Sequence, residues 1–339
     1  MTMENPVIVE ASRGGRVESW HRGAIAVSSA DGRLALALGD VNEAVYPRSA
    51  VKALQALPLV ESGAADKFNF TDAEIALASA SHSGEPIHVE TARAMLAKCG
   101  RDPTTLECGA HWPADAAAAR ALAAAGGEAT ALHNNCSGKH AGFICVSCGA
   151  GVDPAGYVKI DHYAQVEVRR ALEETTQTKL DGRAAVDGCA VPTYSIPLAA
   201  LARAFARFGT GAGMTAARAA AATRIRRAIA SCPQLYGGTG RFDTLVATTL
   251  GTRALVKGGA EGVYCGAFPA LGLGVAVKCD DGAGRAAEAV MATLIARFLP
   301  LGEAERATLA PHVEPVIRNW RGDAVGALRT TSALADVGR

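Results

Sequence analysis

Over the first forty positions, apolar residues sit in extended stretches at 7–11, 17–28 and 34–38, punctuated by Gly14-Gly15 and Asp31-Gly32. Alternation interrupted by an Asp-Gly turn predicts strands joined by tight hairpins. From Pro47 the period changes. Val51, Leu54, Leu57 and Leu59 recur at helical spacing, and Pro47 suits a helix start because its missing N–H needs no partner there. Thr71-x-x-Glu74 predicts a capping box ahead of Ile75, Ala76 and Leu77. Alanine-rich segments near 114–125, 198–207 and 215–230 predict further helices, since alanine costs least in a helix. Residues 254–257, 262–268 and 273–279 then read as three short strands between glycine-rich turns, and 286–299 as a closing helix.

Strands at both ends with helices between them favour α+β over an alternating parallel sheet. The expected architecture is one antiparallel sheet built from both chain ends, with flanking helices and a helical lobe over roughly 60–230 inserted between them. The whole of 1–339 is read as a single structural unit, without internal repeats or a Pro/Ser-rich linker.

The 339 residues are 49% hydrophobic, and 34 basic against 33 acidic residues leave a formal charge of +1. Charges spread this evenly give no footprint for nucleic acid or an anionic membrane. No stretch has the length of a transmembrane helix, and residues 1–10 hold two acids and no basic segment, so a cytoplasmic location is expected. The nine cysteines read mostly as reduced, buried thiols, Cys145-x-x-Cys148 included.

Ser49 and Lys52 lie three residues apart at the start of a predicted helix, which brings both onto one face. A serine hydroxyl needs a base to become a nucleophile, and a lysine serves when burial or a neighbouring cation lowers its pKa. A polar cluster at 78–85 and Lys257-Gly258-Gly259 at the end of a predicted strand supply two further elements. Their order resembles the three motifs lining serine β-lactamase and penicillin-binding-protein sites, although Ser81-His82-Ser83-Gly84 stands where Ser-Asp-Asn would be and Lys-Gly-Gly replaces Lys-Thr-Gly.

Four blocks together carry a closer resemblance: Tyr46-Pro-Arg-Ser-Ala-Val-Lys52, Ser79-Ala-Ser-His-Ser-Gly-Glu85, His133-Asn-Asn-Cys-Ser-Gly-Lys-His140 and Asp187-Gly-Cys-Ala-Val-Pro192. Read jointly, they resemble the rhizobial-type, or class 3, asparaginases, and with the terminal strands they cover most of the chain. The resemblance implies a β-lactamase-like fold, a homodimer, and hydrolysis of L-asparagine to L-aspartate and ammonia. It also implies two Ser-Lys pairs in one site, Ser49 with Lys52 and Ser81 with Lys257. Ser49 would be the nucleophile, Lys52 its base, and Ser81 with Lys257 the relay to the leaving ammonia.

The same resemblance implies zinc held by Cys136, Lys139 and Cys189; His133 and His140, which flank the motif, are alternative ligands by position. A lysine must be neutral to bind zinc, so occupancy would depend on pH. For the substrate zwitterion, Arg48 offers a bidentate fork to the carboxylate and Asp187 an acceptor for the ammonium, with His82 and His140 as further candidates. Glu85 reads as a cap of the helix starting near Pro86. The competing functions are a glutaminase, esterase or β-lactamase on the same scaffold, and a non-catalytic amino-acid- or metal-binding relative.

Overall fold

The computed structural model describes residues 4–180 and 184–335. Its main sheet holds β1 (Val7–Arg13), β2 (Arg16–Ser29), β3 (Leu34–Leu38), β4 (Leu255–Gly258), β5 (Val263–Phe268), β6 (Leu273–Cys279), β7 (Val316–Arg318) and β8 (Ala324–Thr330). The strand order is β7-β8-β1-β2-β6-β5-β4, with β3 also paired to β2, and every pairing is antiparallel. This is the α+β architecture expected from the sequence, a sheet assembled from both chain ends. Gly14 and Gly15 both have positive φ between β1 and β2, which is the backbone a two-residue hairpin with the sheet's twist requires.

The long strand β2 changes role along its length. Its first half, mostly exposed, pairs with β1; its second half is buried on both faces between β3 and β6. There Ala24 and Ala26 face one core, and Ile25 and Val27 the other, as side chains alternate across a strand. On β6, Ala276 shares the first face, and Val275 and Val277 the second. Small residues on the first face let the helix Leu198–Thr210 lie almost on the sheet: a Cβ at Gly274 would come within 2.0 Å of Ala202 O. On the second face, Val290, Met291 and Leu294 of the helix Gly284–Phe298 cover the branched side chains. Each such large side chain taken from water contributes about 1.5–3 kcal/mol.

Between β3 and β4 the chain is mainly helical. The alanine-rich segments form Ala116–Ala124, Leu198–Thr210 and Ala216–Ser231, and Thr71 with Glu74 makes the predicted capping box on Asp72–Ala78. The continuous helix expected after Pro47 is instead three short pieces, Arg48–Val51 (3-10), Lys52–Gln55 and Leu57–Glu61. Pro58 explains the break, because it offers no N–H to the preceding turn. The helix Glu303–Val313 and strands β7 and β8 follow the predicted closing helix. Their mostly exposed, irregular burial carries weak periodicity, so no expectation covered them. No helix among the described residues is long and apolar enough to cross a membrane.

Candidate active site

Ser49 sits in the short 3-10 turn that precedes Lys52–Gln55. The turn begins at Arg48, whose φ of 51° is unusual for a side-chain-bearing residue. Strand β4 ends directly against it: a Cβ on Gly259 would meet Pro47 O at 2.6 Å and Ala50 N at 3.1 Å. Glycine is therefore needed at Gly259 for the two segments to touch. Ser49 and Ser81 open onto one cavity of about 360 Å³, lined also by Asn135, Arg241, Gly258, Tyr264 and Glu288.

Lys52 is fully buried, and its Nζ donates to Ala80 O at 2.7 Å, Ser81 Oγ at 2.9 Å and Asn135 O at 3.3 Å. Burial pushes this amine below the ordinary lysine range; the nearby Cys136 opposes that shift and Lys139 adds to it. The structure thus joins Lys52 to Ser81, while Ser49 Oγ has no hydrogen-bond partner among the described residues. Lys257 does not bond Ser81. Its Nζ, wholly buried on β4, donates to Asp243 Oδ2 at 2.6 Å and Gly258 O at 3.1 Å, and lies 5.5 Å from the Tyr236 ring centre.

Asp243 was not anticipated. It sits in the first turn of Phe242–Leu250 and accepts from Lys257, the Tyr264 hydroxyl and the Gly258 amide. Burial by itself would raise this carboxyl, but the Lys257 ammonium and the bonds from Lys257 and Tyr264 hold it below the usual range. Burial lowers Lys257, Asp243 opposes, and the charge on Lys52 lowers it further. A charged residue just after the run Gly237-Gly-Thr-Gly240 and before an apolar helix is the signal that could have flagged Arg241 and Asp243.

The expected recognition pair is spent on itself. Arg48 Nε and Nη2 both lie 2.8 Å from Asp187 Oδ1, and Arg48 lines a different cavity, with Tyr46 and Lys278. His82 is likewise engaged: Nδ1 accepts from Gly84 N at 3.1 Å, so Nε2 carries the proton and donates to Ser137 Oγ at 2.9 Å. Burial holds His82 well below its ordinary pKa, and it is not among the residues lining the serine cavity. His82 therefore braces two loops, an arrangement extended by the bond from its own amide to Asn135 O. Glu85 does occupy the N-cap of Pro86–Lys98, yet its carboxylate accepts from Thr239 N at 2.7 Å and Gln234 Nε2 at 3.0 Å, anchoring the segment that leads to Arg241.

Cys136, Lys139 and Cys189 do converge. All three are buried, Lys139 Nζ donates to Cys189 Sγ at 3.2 Å, and Cys136 Sγ donates to Asn135 Oδ1 at 3.1 Å. The neighbouring Cys189 thiol holds Cys136 well below the usual thiol range against its burial, with help from Lys52 and Lys139, and Cys136 together with burial pushes Cys189 up. Two sulfurs and an amine at one point fit the donor chemistry of zinc. Among the described residues no group of three or more His, Cys, Asp or Glu side chains is arranged to hold a metal, and the third donor here is the lysine. His133 accepts from Thr130 N through Nδ1 and lines a separate cavity with Gly84 and Arg93. His140 bonds the Tyr157 hydroxyl at 2.7 Å through Nδ1, while its buried Nε2 has no hydrogen-bond partner among the described residues.

A family model described as L-asparaginase II matches residues 9–330. The chain belongs to the L-asparaginase II family. It is accordingly a hydrolase, and its reaction is conversion of L-asparagine and water to L-aspartate and ammonia. None of the curated proteins compared matches this asparaginase-family chain. A solved structure described as a β-lactamase from Mycobacterium bovis is similar at 15% identity, with a TM-score of 0.40 over 81% of this chain and 94% of that one.

Proposed function

We propose that L-asparagine is hydrolysed through an acyl-enzyme on Ser49, with Lys52 as general base. The observation that carries this reading is the meeting of Ser49 and Ser81 at one cavity, with buried Lys52 Nζ 2.9 Å from Ser81 Oγ. Burial favours the neutral amine, the form able to accept a proton. The Ser49 Oγ proton passes to Lys52 as Oγ bonds to the side-chain amide carbon and the C=O electron pair moves onto oxygen. Backbone N–H groups of the turn hold that oxyanion. The C–N bond then breaks, the proton returns through Ser81 to the departing ammonia, and water releases L-aspartate by the reverse sequence. Because Lys257 is bound to Asp243, its role in this reading is a fixed positive charge beneath the cavity and not a direct relay.

The Lys52–Ser81 hydrogen bond favours a second reading, in which Ser81 itself is the nucleophile. Acid quenching during turnover, followed by proteolysis and mass spectrometry, separates the two. An aspartyl adduct is expected on the peptide containing Ser49; an adduct confined to the Ser81 peptide would reverse the roles of the two serines.

We further propose that Cys136, Lys139 and Cys189 hold zinc, leaving a fourth position for water or substrate. Bound there, the metal would supply Lewis acidity and orientation while a serine remains the nucleophile. Protein purified without chelator is expected to carry zinc approaching one ion per chain by elemental analysis, and Cys189→Ala to lose it. Zinc-free wild-type protein with full activity would remove the metal from the reading. A homodimer on a β-lactamase-like scaffold completes the proposal and rests on the resemblance of the four sequence blocks; the cytoplasmic location expected from the sequence is proposed with it.

A further inference from the structure

Two charged residues line the serine cavity without a part in the chemistry above, Arg241 and Glu288. Arg241 is exposed at the N-cap of Phe242–Leu250, and its guanidinium makes no hydrogen bond or ion pair among the described residues. For stability this is a poor place for a cation. A helix N-terminus is already partly positive, and Lys257 lies close by with Asp243 as its counter-charge. Arg241 is near enough that its charge lowers the pKa of both. Arg48 and Asp187, the pair suggested by the sequence, neutralise each other, and Arg48 lines a different cavity.

Glu288 reaches the same cavity from the helix Gly284–Phe298. Its Oε1 pairs with His312 Nδ1 at 2.9 Å, and Oε2 has no partner among the described residues. One free guanidinium and one free carboxylate oxygen around a space of about 360 Å³ complement the two charges of an α-amino acid. We infer that Arg241 binds the α-carboxylate of the substrate and Glu288 its α-ammonium, which delivers the side-chain amide to Ser49. This inference rests on hydrolysis occurring in the serine cavity. It makes recognition of the free amino acid, as opposed to an amide within a peptide, a property of these two side chains.

Binding calorimetry in a Ser49→Ala background tests it without turnover, using L-asparagine, β-alaninamide (lacking the α-carboxylate) and succinamate (lacking the α-ammonium). Adding Arg241→Gln should weaken L-asparagine by about 10- to 100-fold, the range for a charge-assisted bond, and leave β-alaninamide within about threefold. Adding Glu288→Gln should weaken L-asparagine and spare succinamate. Unchanged L-asparagine affinity in the Arg241→Gln protein overturns the inference, as does equal weakening of L-asparagine and β-alaninamide, the mark of a purely structural role. Substantial turnover by Ser49→Ala would count against the acyl-enzyme on Ser49 instead. The change in KM of Arg241→Gln for L-asparagine against β-alaninamide would then decide the inference by the same criteria.

Discussion

Asp243→Asn is expected to destabilise the protein by about 3–5 kcal/mol, because it leaves the Lys257 ammonium buried without a counter-charge. Both side chains are almost inaccessible, at 2% and 0% exposure, so water cannot replace the lost partner. Asparagine can still accept the bond from Tyr264, but it cannot neutralise the lysine. Adding Lys257→Met should restore stability to within about 1–2 kcal/mol of wild type, since replacing a whole buried pair costs far less than breaking it. Urea unfolding midpoints check both values; a loss below about 1 kcal/mol for Asp243→Asn would mean that Lys257 is neutral in the folded protein. The pH dependence has a definite sign. The folded Asp243 carboxyl is held below its unfolded value of about 3.9. Its contribution is therefore present above that value and lost as pH falls through the folded pKa. The Asp243→Asn protein should lack this part of the acid-side decline.

Lys52→Met is expected to lower kcat by about two to four orders of magnitude, the usual contribution of a positioned general base. The flexible methionine fills similar space but has no proton acceptor. Loss of the amine leaves Ala80 O and Asn135 O without its hydrogen bonds, at about 1–3 kcal/mol for a buried unsatisfied group. Removing a buried polar amine, with its desolvation cost, offsets part of that loss, so folding should survive. Steady-state ammonia release alongside thermal unfolding separates the two effects. A kcat within tenfold of wild type in the folded variant would sink Lys52 as the base.

The chemistry-bearing blocks were legible because several functional groups sit within a few residues of one another. Ser49 and Lys52 share a turn, and Cys136 and Lys139 another, so spacing puts each pair together whatever the rest of the chain does. The third member of the sulfur–amine cluster, Cys189, was available only through resemblance, and the fold brings it to 3.2 Å from Lys139 across 50 positions. Arg48 and Asp187 carried the right charges for a zwitterion, and those same charges attract each other once their loops meet. Asp243 and Arg241 lay outside every recognised block, and a Gly-rich turn before a helix says nothing of what its charged residues face.

By itself, the sequence determined the strands over 7–38 and 254–279 and the helices marked by a cap or by alanine. Alternation along 24–27, the Thr71–Glu74 cap and the alanine-rich periods depend on local geometry, which repeats every two or 3.6 residues wherever a segment lies. Only the tertiary structure decided partners. Whether Lys52 bonds Ser49 or Ser81, and Lys257 bonds Ser81 or Asp243, depends on how helices and sheet are stacked. Long side chains choose the nearest acceptor in space, and these acceptors lie 29 and 14 residues away. The Gly259 contact with Pro47 is of the same kind: a missing Cβ is visible in the sequence, but the backbone it admits is not.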